Sequence, residues 1–168
     1  ELKGRNFAIV THAGGPGVML TDALSKGSLN VPSLIGELGE ELKKHLLPGA
    51  SISNPIDILA TGTPEQMAMA IDYCENHLDH IDAIFAIFGT PGLVNMSETY
   101  EMLHQKIKDG KKPIFPILPS IHTAKKEVTE FLNKGHVNFA DEVTLAKAIT
   151  QILNTPKPSR IEPDLSLI

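Results

Sequence analysis

The sequence predicts an α/β protein with a flavodoxin-like, three-layer sandwich built around a five-stranded, mainly parallel sheet. Short apolar runs of strand length alternate along the chain with segments of helical periodicity. These runs do not alternate polar and apolar residues, which is typical of parallel strands that are buried on both faces. The alternation of strand and helix favours right-handed crossovers, which place helices on the two sides of the sheet.

Five runs are candidate strands. Three of them are strongly apolar, namely Phe7–Val10, Ile84–Phe88 and Ile114–Leu118. Two weaker candidates lie at Leu29–Leu34 and His136–Phe139. Together they supply the five strands of the predicted sheet.

Helices are indicated between these runs by residues that cap or end them. The sequence Thr63-Pro64-Glu65-Gln66 combines an N-cap, a proline at the first helical position and a capping-box glutamine, so a helix is predicted to begin there. Asp141 is predicted to cap another helix. The remaining predicted helices cover Met19–Lys26, Glu98–Lys108 and Ala124–Lys134.

One domain is expected to account for most of the chain. A length of 168 residues with 42% apolar content is sufficient for one hydrophobic core. We expect a flavodoxin-like domain over residues 1–154 and a proline-rich linker or tail over residues 155–168, because prolines fix φ and remove hydrogen-bond donors. The sequence begins at Glu1 rather than at methionine, so we expect a domain of a longer protein.

The composition argues against several classes of function. The net charge is −5, and the Lys and Arg residues are scattered, which argues against a nucleic-acid partner. No apolar stretch approaches the roughly 20 residues of a membrane span. The single cysteine, Cys74, excludes an internal disulfide and suits a reducing compartment. We therefore expect a cytoplasmic protein without a membrane partner, in which Cys74 is an inert, partly buried thiol.

The segment Thr11–Val18, with the sequence THAGGPGV, is the most informative in the chain. It follows an apolar strand and precedes a helix, so backbone N–H groups and the positive end of the helix dipole favour an anion such as phosphate or carboxylate. It lacks the spacing of a dinucleotide-binding turn and the ending of a P-loop. A tight strand-to-helix turn without a ligand is an equally good interpretation of this segment alone.

Two further loops are expected beside it, because ligands of doubly wound sheets bind beyond the carboxyl ends of the strands. One runs from Ser53 to Thr63 and the other covers Gly89–Gly92. None of the three loops contains lysine or arginine, which indicates binding through backbone amides and hydroxyls. Asn54 and Asp57 fit either contact with a ligand or hydrogen bonds to the backbone of their own loop.

Two histidines, His12 and His122, are expected just beyond strands at this edge. His12 is the one plausible general acid or base in the first loop, and a supporting hydrogen-bond role is the preferred interpretation for it. The sequence shows no Ser/His/Asp set, Cys/His pair or metal-ligand spacing. We therefore predict no catalytic residue and no metal site within the chain.

Three segments in combination resemble NDP-forming (ADP-forming) acyl-CoA synthetases, which are related to succinyl-CoA synthetase. The first is Phe7–Leu24, whose sequence FAIVTHAGGPGVMLTDAL is similar to the family's AIVTNAGGPGVLATDAL; the second and third are Leu47–Asp57 and Ile87–Gly92. The resemblance covers roughly residues 4 to 153 and is to the last flavodoxin-like CoA-ligase domain of the acid–CoA-binding subunit. His12 stands where the family usually has asparagine.

The resemblance implies a relay that couples acyl-CoA, ADP and phosphate to acid, ATP and CoA. An acyl phosphate passes its phosphoryl group to a histidine, which lies between the amino ends of two helices and belongs to another domain. Phosphate binding is implied for Gly14, Gly15, Gly17 and Val18. Binding of the acyl carboxylate or phosphate is implied for Gly89, Thr90 and Gly92, with His12, Asn54 and Asp57 in support.

The resemblance also implies partners. CoA, ATP or ADP, and Mg are implied for the whole enzyme, while no cofactor is expected on this domain alone. The expected partners are the CoA-binding, histidine-bearing and ATP-grasp domains or subunits, together with phosphate and a small carboxylic acid of the acetate or propionate type. The isolated domain is expected to be inactive.

Two other functions are compatible with the residues. One is a non-catalytic regulatory or binding module of a CoA-ligase-like protein, for instance one fused to an acetyltransferase. The other is a stand-alone flavodoxin-like nucleotide binder. It is disfavoured because the chain has two Tyr and no Trp, and no acidic residue suited to a ribose follows a second strand.

Overall fold

A computed structural model describes residues 2–34, 36–89, 96–120 and 122–156, which form an α/β fold around a parallel sheet. Four strands lie in these ranges: β1 (Phe7–Thr11), β2 (Ile56–Asp57), β3 (Ala83–Ile87) and β4 (Ile114–Ile117). They are hydrogen-bonded in the order β2-β1-β3-β4, and every pair is parallel. The predicted α/β class and parallel sheet are confirmed.

Helices cover the two faces of the sheet. The described ranges contain α1 (Gly14–Lys26), α2 (Glu37–Lys43), α3 (Pro64–Asn76), α4 (Met96–Asp109), α5 (Lys125–Asn133) and α6 (Glu142–Asn154). Helices α1 and α6 pack together on one face, while the apolar residues of α2 to α5 share a core with the other face. Successive strand residues such as Phe85 and Ala86 enter opposite cores, so both are buried. This explains why the strand sequences are continuously apolar.

A fifth strand is not seen among the described residues, but its expected place is marked. Phe139 forms an isolated parallel bridge with Ile117 of β4, and the Leu118 N–H donates to the Phe139 carbonyl at 2.9 Å. The predicted segment His136–Phe139 therefore lies beside β4. With that segment included, the order is the 2-1-3-4-5 arrangement of flavodoxin-like folds.

The prediction of a strand at Leu29–Leu34 is wrong, and β2 lies elsewhere. Asn30 makes a single bridge with Asn6, after which Pro32 has no N–H to continue a ladder. The place beside β1 is taken by β2, which was predicted as part of a loop. It has only two residues, so hydrophobic periodicity could not reveal it.

The capping signals at Thr63 and Asp141 identified two helix starts correctly, whereas α4 begins at Met96 rather than Glu98 and α5 begins at Lys125 rather than Ala124. α3 begins at Pro64, where the Gln66 N–H donates to Thr63 Oγ1 at 3.3 Å and the Thr63 N–H donates to Gln66 Oε1 at 3.0 Å. Asp141 caps α6 by accepting the Thr144 N–H. α1 begins at Gly14 rather than at Met19, because the GGPG sequence forms its first turn instead of a loop.

Three further expectations concern the thiol of Cys74, membrane-spanning helices and the boundary between the domain and the tail. Cys74 is fully buried rather than partly buried as expected, and burial raises the pKa of its thiol to about 12, which favours an inert thiol. Over the described ranges, every helix is too short or too polar to cross a membrane. The proposed boundary between domain and tail stays a prediction, since residues 157–168 lie outside the described ranges.

Candidate anion-binding site

The carboxyl ends of three strands lie level with one another at one edge of the sheet. Thr11, the last residue of β1, is in register with Asp57 of β2 and with Ile87 of β3. The chain continues from these strands into α1, the loop before α3, and Gly89. The structure thus brings part of each of the three predicted loops to this edge, as expected for a doubly wound sheet, and in the second loop that part is Asp57 rather than its start at Ser53.

The amino end of α1 has no side-chain cap. Its N-cap residue is Ala13, and the first turn contains no acidic residue. The N–H groups of Gly14 and Gly15 have no hydrogen-bond partner among the described residues, and both glycines are exposed. Pro16, the third helical residue, has no N–H. Two backbone donors therefore point out of this helix end without a partner.

The turn before α1 is fixed by Thr11. This buried side chain donates from Oγ1 to the Ala13 carbonyl at 2.8 Å and accepts the Ala13 N–H at 3.0 Å. The Gly17 N–H donates to the Ala13 carbonyl at 3.4 Å, so this predicted donor is already used inside the helix. Val18 lies a turn inside α1 and exposes 57% of its side chain. Of the four predicted phosphate-binding residues, Gly14 and Gly15 therefore present their N–H groups.

The glycines of the first turn serve different purposes. A Cβ on Gly17 would lie 3.1 Å from Thr11 Cγ2 and 3.3 Å from Pro55, so glycine allows α1 to pack closely against β1 and the loop before β2. A Cβ on Gly15 would meet nothing within 4 Å. Gly15 therefore borders open space, as a ligand-binding position requires, whereas Gly17 is needed for packing.

Asp57 places a carboxylate beside the same helix end. Its Oδ1 accepts the Leu59 N–H at 2.9 Å, and its Oδ2 lies 2.9 Å from the position that a Cβ of Gly14 would occupy. Ser51 fixes the Asp57 backbone through two hydrogen bonds of 2.9 and 3.0 Å. A negative charge here stabilises the positive end of the α1 dipole. It also repels any second anion that binds there.

Asn54 is engaged with the backbone of β1 and its surroundings. Its Oδ1 accepts the Ile9 N–H at 2.9 Å, and its Nδ2 donates to the carbonyls of Phe7 at 2.7 Å and Pro32 at 3.0 Å. The amide thus replaces a strand neighbour along the part of β1 that β2 is too short to reach. Asn54 therefore bonds to backbone groups, but to those of β1 and Pro32 rather than to those of its own loop as expected.

His12 connects the carboxyl ends of β1 and β3. Its Nδ1 lies 3.2 Å from the Ile87 carbonyl, and its Nε2 accepts the Gly89 N–H at 3.3 Å. Both contacts are satisfied by a neutral imidazole with its proton on Nδ1. Burial lowers the pKa of His12, although the Ile87 carbonyl and the Asp57 carboxylate partly oppose this effect. Because both ring nitrogens are bonded, His12 is not placed to act as a general base.

The remaining predicted residues lie apart from this arrangement or outside the described ranges. Thr90 and Gly92 belong to residues 90–95, which are not described. The Gly89 N–H is used by His12, so it is not a free donor. His122 is exposed and takes part in none of the hydrogen bonds described above. In the parts of the chain that the structure describes, no three His, Cys, Asp or Glu side chains are grouped to hold a metal ion.

The chain is similar to ADP-forming acetate–CoA ligases. It is 32% identical over 159 residues to the alpha subunit of acetate–CoA ligase I of Pyrococcus furiosus, an alignment that covers 94% of this chain and 34% of that protein. It is 29% identical over 139 residues to the alpha subunit of acetate–CoA ligase II of the same organism, covering 80% of this chain and 30% of that protein. The chain thus spans about a third of the length of these relatives.

Solved structures share the fold. A structure from Pyrococcus horikoshii OT3 has a TM-score of 0.79 and 25% identity over 90% of this chain and 35% of its own. A dinucleotide-forming acetyl-coenzyme A synthetase 1 from Ca. Korarchaeum cryptofilum, in complex with phosphate and ADP, has a TM-score of 0.77 and 22% identity over 90% of this chain and 33% of its own. The model of the Ligase-CoA domain matches residues 7–139. The chain belongs to the Ligase-CoA domain family.

Proposed function

We propose that this chain forms one wall of the phosphoryl-transfer site of an ADP-forming acyl-CoA ligase. The observation that carries the proposal is the uncapped amino end of α1, where the N–H groups of Gly14 and Gly15 have no described partner. This end lies where β1, β2 and β3 terminate together, and the chain is a Ligase-CoA domain. In this proposal, the two amides bind the phosphoryl group of the acyl phosphate or of a phosphohistidine.

Two such donors predict weak binding by the chain alone. A hydrogen bond between a neutral donor and a charged acceptor contributes roughly 1.5–3 kcal/mol, and the helix dipole adds about 0.3–1 kcal/mol. Association costs at least about 4 kcal/mol, which leaves at most about 3 kcal/mol, so a dissociation constant for inorganic phosphate of about 6 mM or higher is expected. Tight binding then requires donors from a second wall. This supports a shared site with the amino end of a helix from another domain.

The chain supplies donors but no described nucleophile for this relay. His12 is buried with both ring nitrogens bonded, and Cys74 is a buried thiol with a raised pKa. The histidine that is phosphorylated would therefore come from a different domain or subunit, as would the sites for CoA and the nucleotide. The acid is proposed to be small, with acetate as the candidate that the names of the relatives suggest.

A pair of substitutions at Gly15 tests the proposal. Gly15→Pro removes one donor, and proline is tolerated in the first turn of a helix. Gly15→Ala keeps the N–H and adds a methyl group into open space, so it is the matched control. Phosphate is titrated into the ¹⁵N-labelled full chain, and amide shifts are followed by NMR.

In the wild type we expect saturable chemical-shift changes at the amides of Gly14 and Gly15. In Gly15→Ala we expect the same changes at the amides of positions 14 and 15. In Gly15→Pro we expect phosphate affinity to fall about tenfold, which corresponds to 1.4 kcal/mol. Shifts confined to a distant surface, or equal affinity in the two variants, would refute binding at the α1 amino end.

A further inference from the structure

We propose that His12 is a positioning residue, whose neutral imidazole holds the Gly89 peptide against the end of β1 beside the anion-binding turn. The effect of this residue on phosphate binding rests on the proposed function. The contact itself does not, since it is a hydrogen bond of 3.3 Å from the Gly89 N–H to His12 Nε2. Gly89 lies two residues after the end of β3.

The contact fixes one protonation state. The Ile87 carbonyl accepts a hydrogen bond and cannot donate one, so Nδ1 must carry a proton. The Gly89 N–H donates, so Nε2 must be without one. Protonation of the ring would place an N–H of His12 against the N–H of Gly89. The Gly89 contact is therefore compatible with neutral His12 only, whereas the Ile87 contact survives protonation.

The surroundings hold the ring in this orientation. His12 is 7% exposed, and the Phe88 ring packs against it with centroids 4.9 Å apart. A Cβ on Gly89 would lie 3.4 Å from His12 Cε1 and 3.6 Å from Ser120 Oγ, so the peptide also fits closely between β1 and the segment after β4. Asp57 is the charged group in the described ranges that acts on the imidazole, and it favours the protonated form.

Acidification should therefore release Gly89. Burial lowers the pKa of His12, so the imidazole stays neutral to a lower pH than the usual value of 6.5. At a pH well above the lowered pKa of His12, the imidazole is neutral and the Gly89 bond is formed. As the pH falls below that pKa and the ring protonates, the bond is lost, although the protein need not unfold.

Two substitutions separate the two contacts of the ring. Glutamine places its terminal amide three bonds from Cβ, as Nε2 is, so His12→Gln can accept the Gly89 N–H without titrating in this range. Asparagine places its amide two bonds from Cβ, as Nδ1 is, so His12→Asn can donate to the Ile87 carbonyl but does not reach Gly89. Asparagine is also the residue at this position in the similar segment of NDP-forming acyl-CoA synthetases.

The test is amide hydrogen exchange of the full chain, measured residue by residue by NMR and corrected for the intrinsic rate at each pH. At pH 7.5 we expect Gly89 to be protected in the wild type and in His12→Gln, and to exchange at least about tenfold faster in His12→Asn. On acidification, protection of Gly89 should fall in step with the imidazole shift of His12 in the wild type and stay constant in His12→Gln. The Phe88 amide, bonded to the Ile117 carbonyl at 3.0 Å, is the internal control for local unfolding.

Phosphate titration of the same variants tests the consequence for the site. We expect His12→Gln to bind phosphate within about twofold of the wild type and His12→Asn to bind at least about threefold more weakly. Equal Gly89 protection in the wild type and in His12→Asn, or pH dependence that persists in His12→Gln, would overturn the contact. Equal phosphate affinity in all three proteins would overturn its role in the site. If the wild type binds no phosphate, the proposed function fails, while the exchange pattern still decides the His12–Gly89 contact.

Discussion

The amino ends of α1 and α3 differ in how their backbone donors are satisfied. At α3, Thr63 and Gln66 form a capping box in which two N–H groups find side-chain acceptors. At α1, the N-cap is Ala13, and Pro16 occupies the third helical position, where the capping-box N–H would be. The open end of α1 leaves the N–H groups of Gly14 and Gly15 available for the anion that we propose.

The difference has an energetic meaning. An N-cap side chain typically contributes about 0.5–2 kcal/mol to stability. α1 forgoes that contribution and is held instead by packing, because Leu20 and Leu24 are fully buried and Gly17 fits closely against Thr11 and Pro55. A negative charge from Asp57 supports the open end. The packing of its apolar face therefore allows α1 to be stable without an N-cap side chain.

The largest effect is expected from a residue that lies near the open end but has a structural role. Asn54→Ala leaves the Ile9 N–H and the Phe7 and Pro32 carbonyls without the acceptor and donor that they now use. Each unsatisfied buried polar group costs roughly 1–3 kcal/mol, so the groups of the two buried residues, Phe7 and Ile9, alone should lower the free energy of unfolding by about 2–6 kcal/mol. Urea unfolding followed by circular dichroism measures this loss. A change under about 0.5 kcal/mol would show that Asn54 is free to serve a ligand instead.

Exchanging the caps tests the comparison directly. Thr63→Ala should lower stability by about 1 kcal/mol and leave phosphate affinity unchanged. Ala13→Ser should raise stability, because Ala13 already has the extended backbone of an N-cap, with φ −141° and ψ 112°. Since Pro16 has no N–H, the new hydroxyl can accept only from Gly15 in the first turn. Ala13→Ser should therefore weaken phosphate binding, by about threefold.

Thermal unfolding and phosphate titration of both variants provide the measurements. In Ala13→Ser, stability should rise while phosphate affinity falls, and this opposite change is decisive. If phosphate affinity simply followed the stability of the fold, it would rise in Ala13→Ser and fall in Thr63→Ala. If Ala13→Ser gains stability without any loss of phosphate affinity, Gly15 is not the donor that binds the anion.

The fold could be predicted from local patterns, whereas the site depends on contacts between distant segments. Strands β1, β3 and β4 pack against helices on both faces, so their sequences are continuous apolar runs that predict strands. The starts of α3 and α6 are predicted by their capping residues. β2 has two residues and no detectable pattern. The sequence GGPG predicts a loop because glycine and proline are poor helix formers. They are tolerated in a first turn, where N–H groups need no helical partner.

The contacts of His12 illustrate what the sequence could not show. Ile87 and Gly89 lie 75 and 77 residues away along the chain, and no local feature marks that pairing. Its position beyond a strand suggested the right edge of the sheet and a supporting role. It could not reveal that both ring nitrogens are bonded, or that one bond uses the Gly89 N–H. Specific hydrogen bonds across strands require the register of the sheet, which only the structure supplies.

The smallest effect is expected at Asp57, whose carboxylate lies beside the open end. Asp57→Asn keeps an oxygen for the Leu59 N–H, so the loop should be retained, while the helix dipole loses roughly 0.3–1 kcal/mol of stabilisation. Removing one negative charge about 5 Å from a bound phosphate should improve binding by roughly 1 kcal/mol, or about fivefold, in a mostly aqueous setting. Asp22→Asn, with the same charge change farther along α1, is the matched control and should improve binding much less. Phosphate titration by NMR at low ionic strength measures both. Weaker binding in Asp57→Asn would mean that the carboxylate contributes to the anion site, for instance by accepting a hydrogen bond from a protonated oxygen of the phosphate, rather than competing with the anion for the open end.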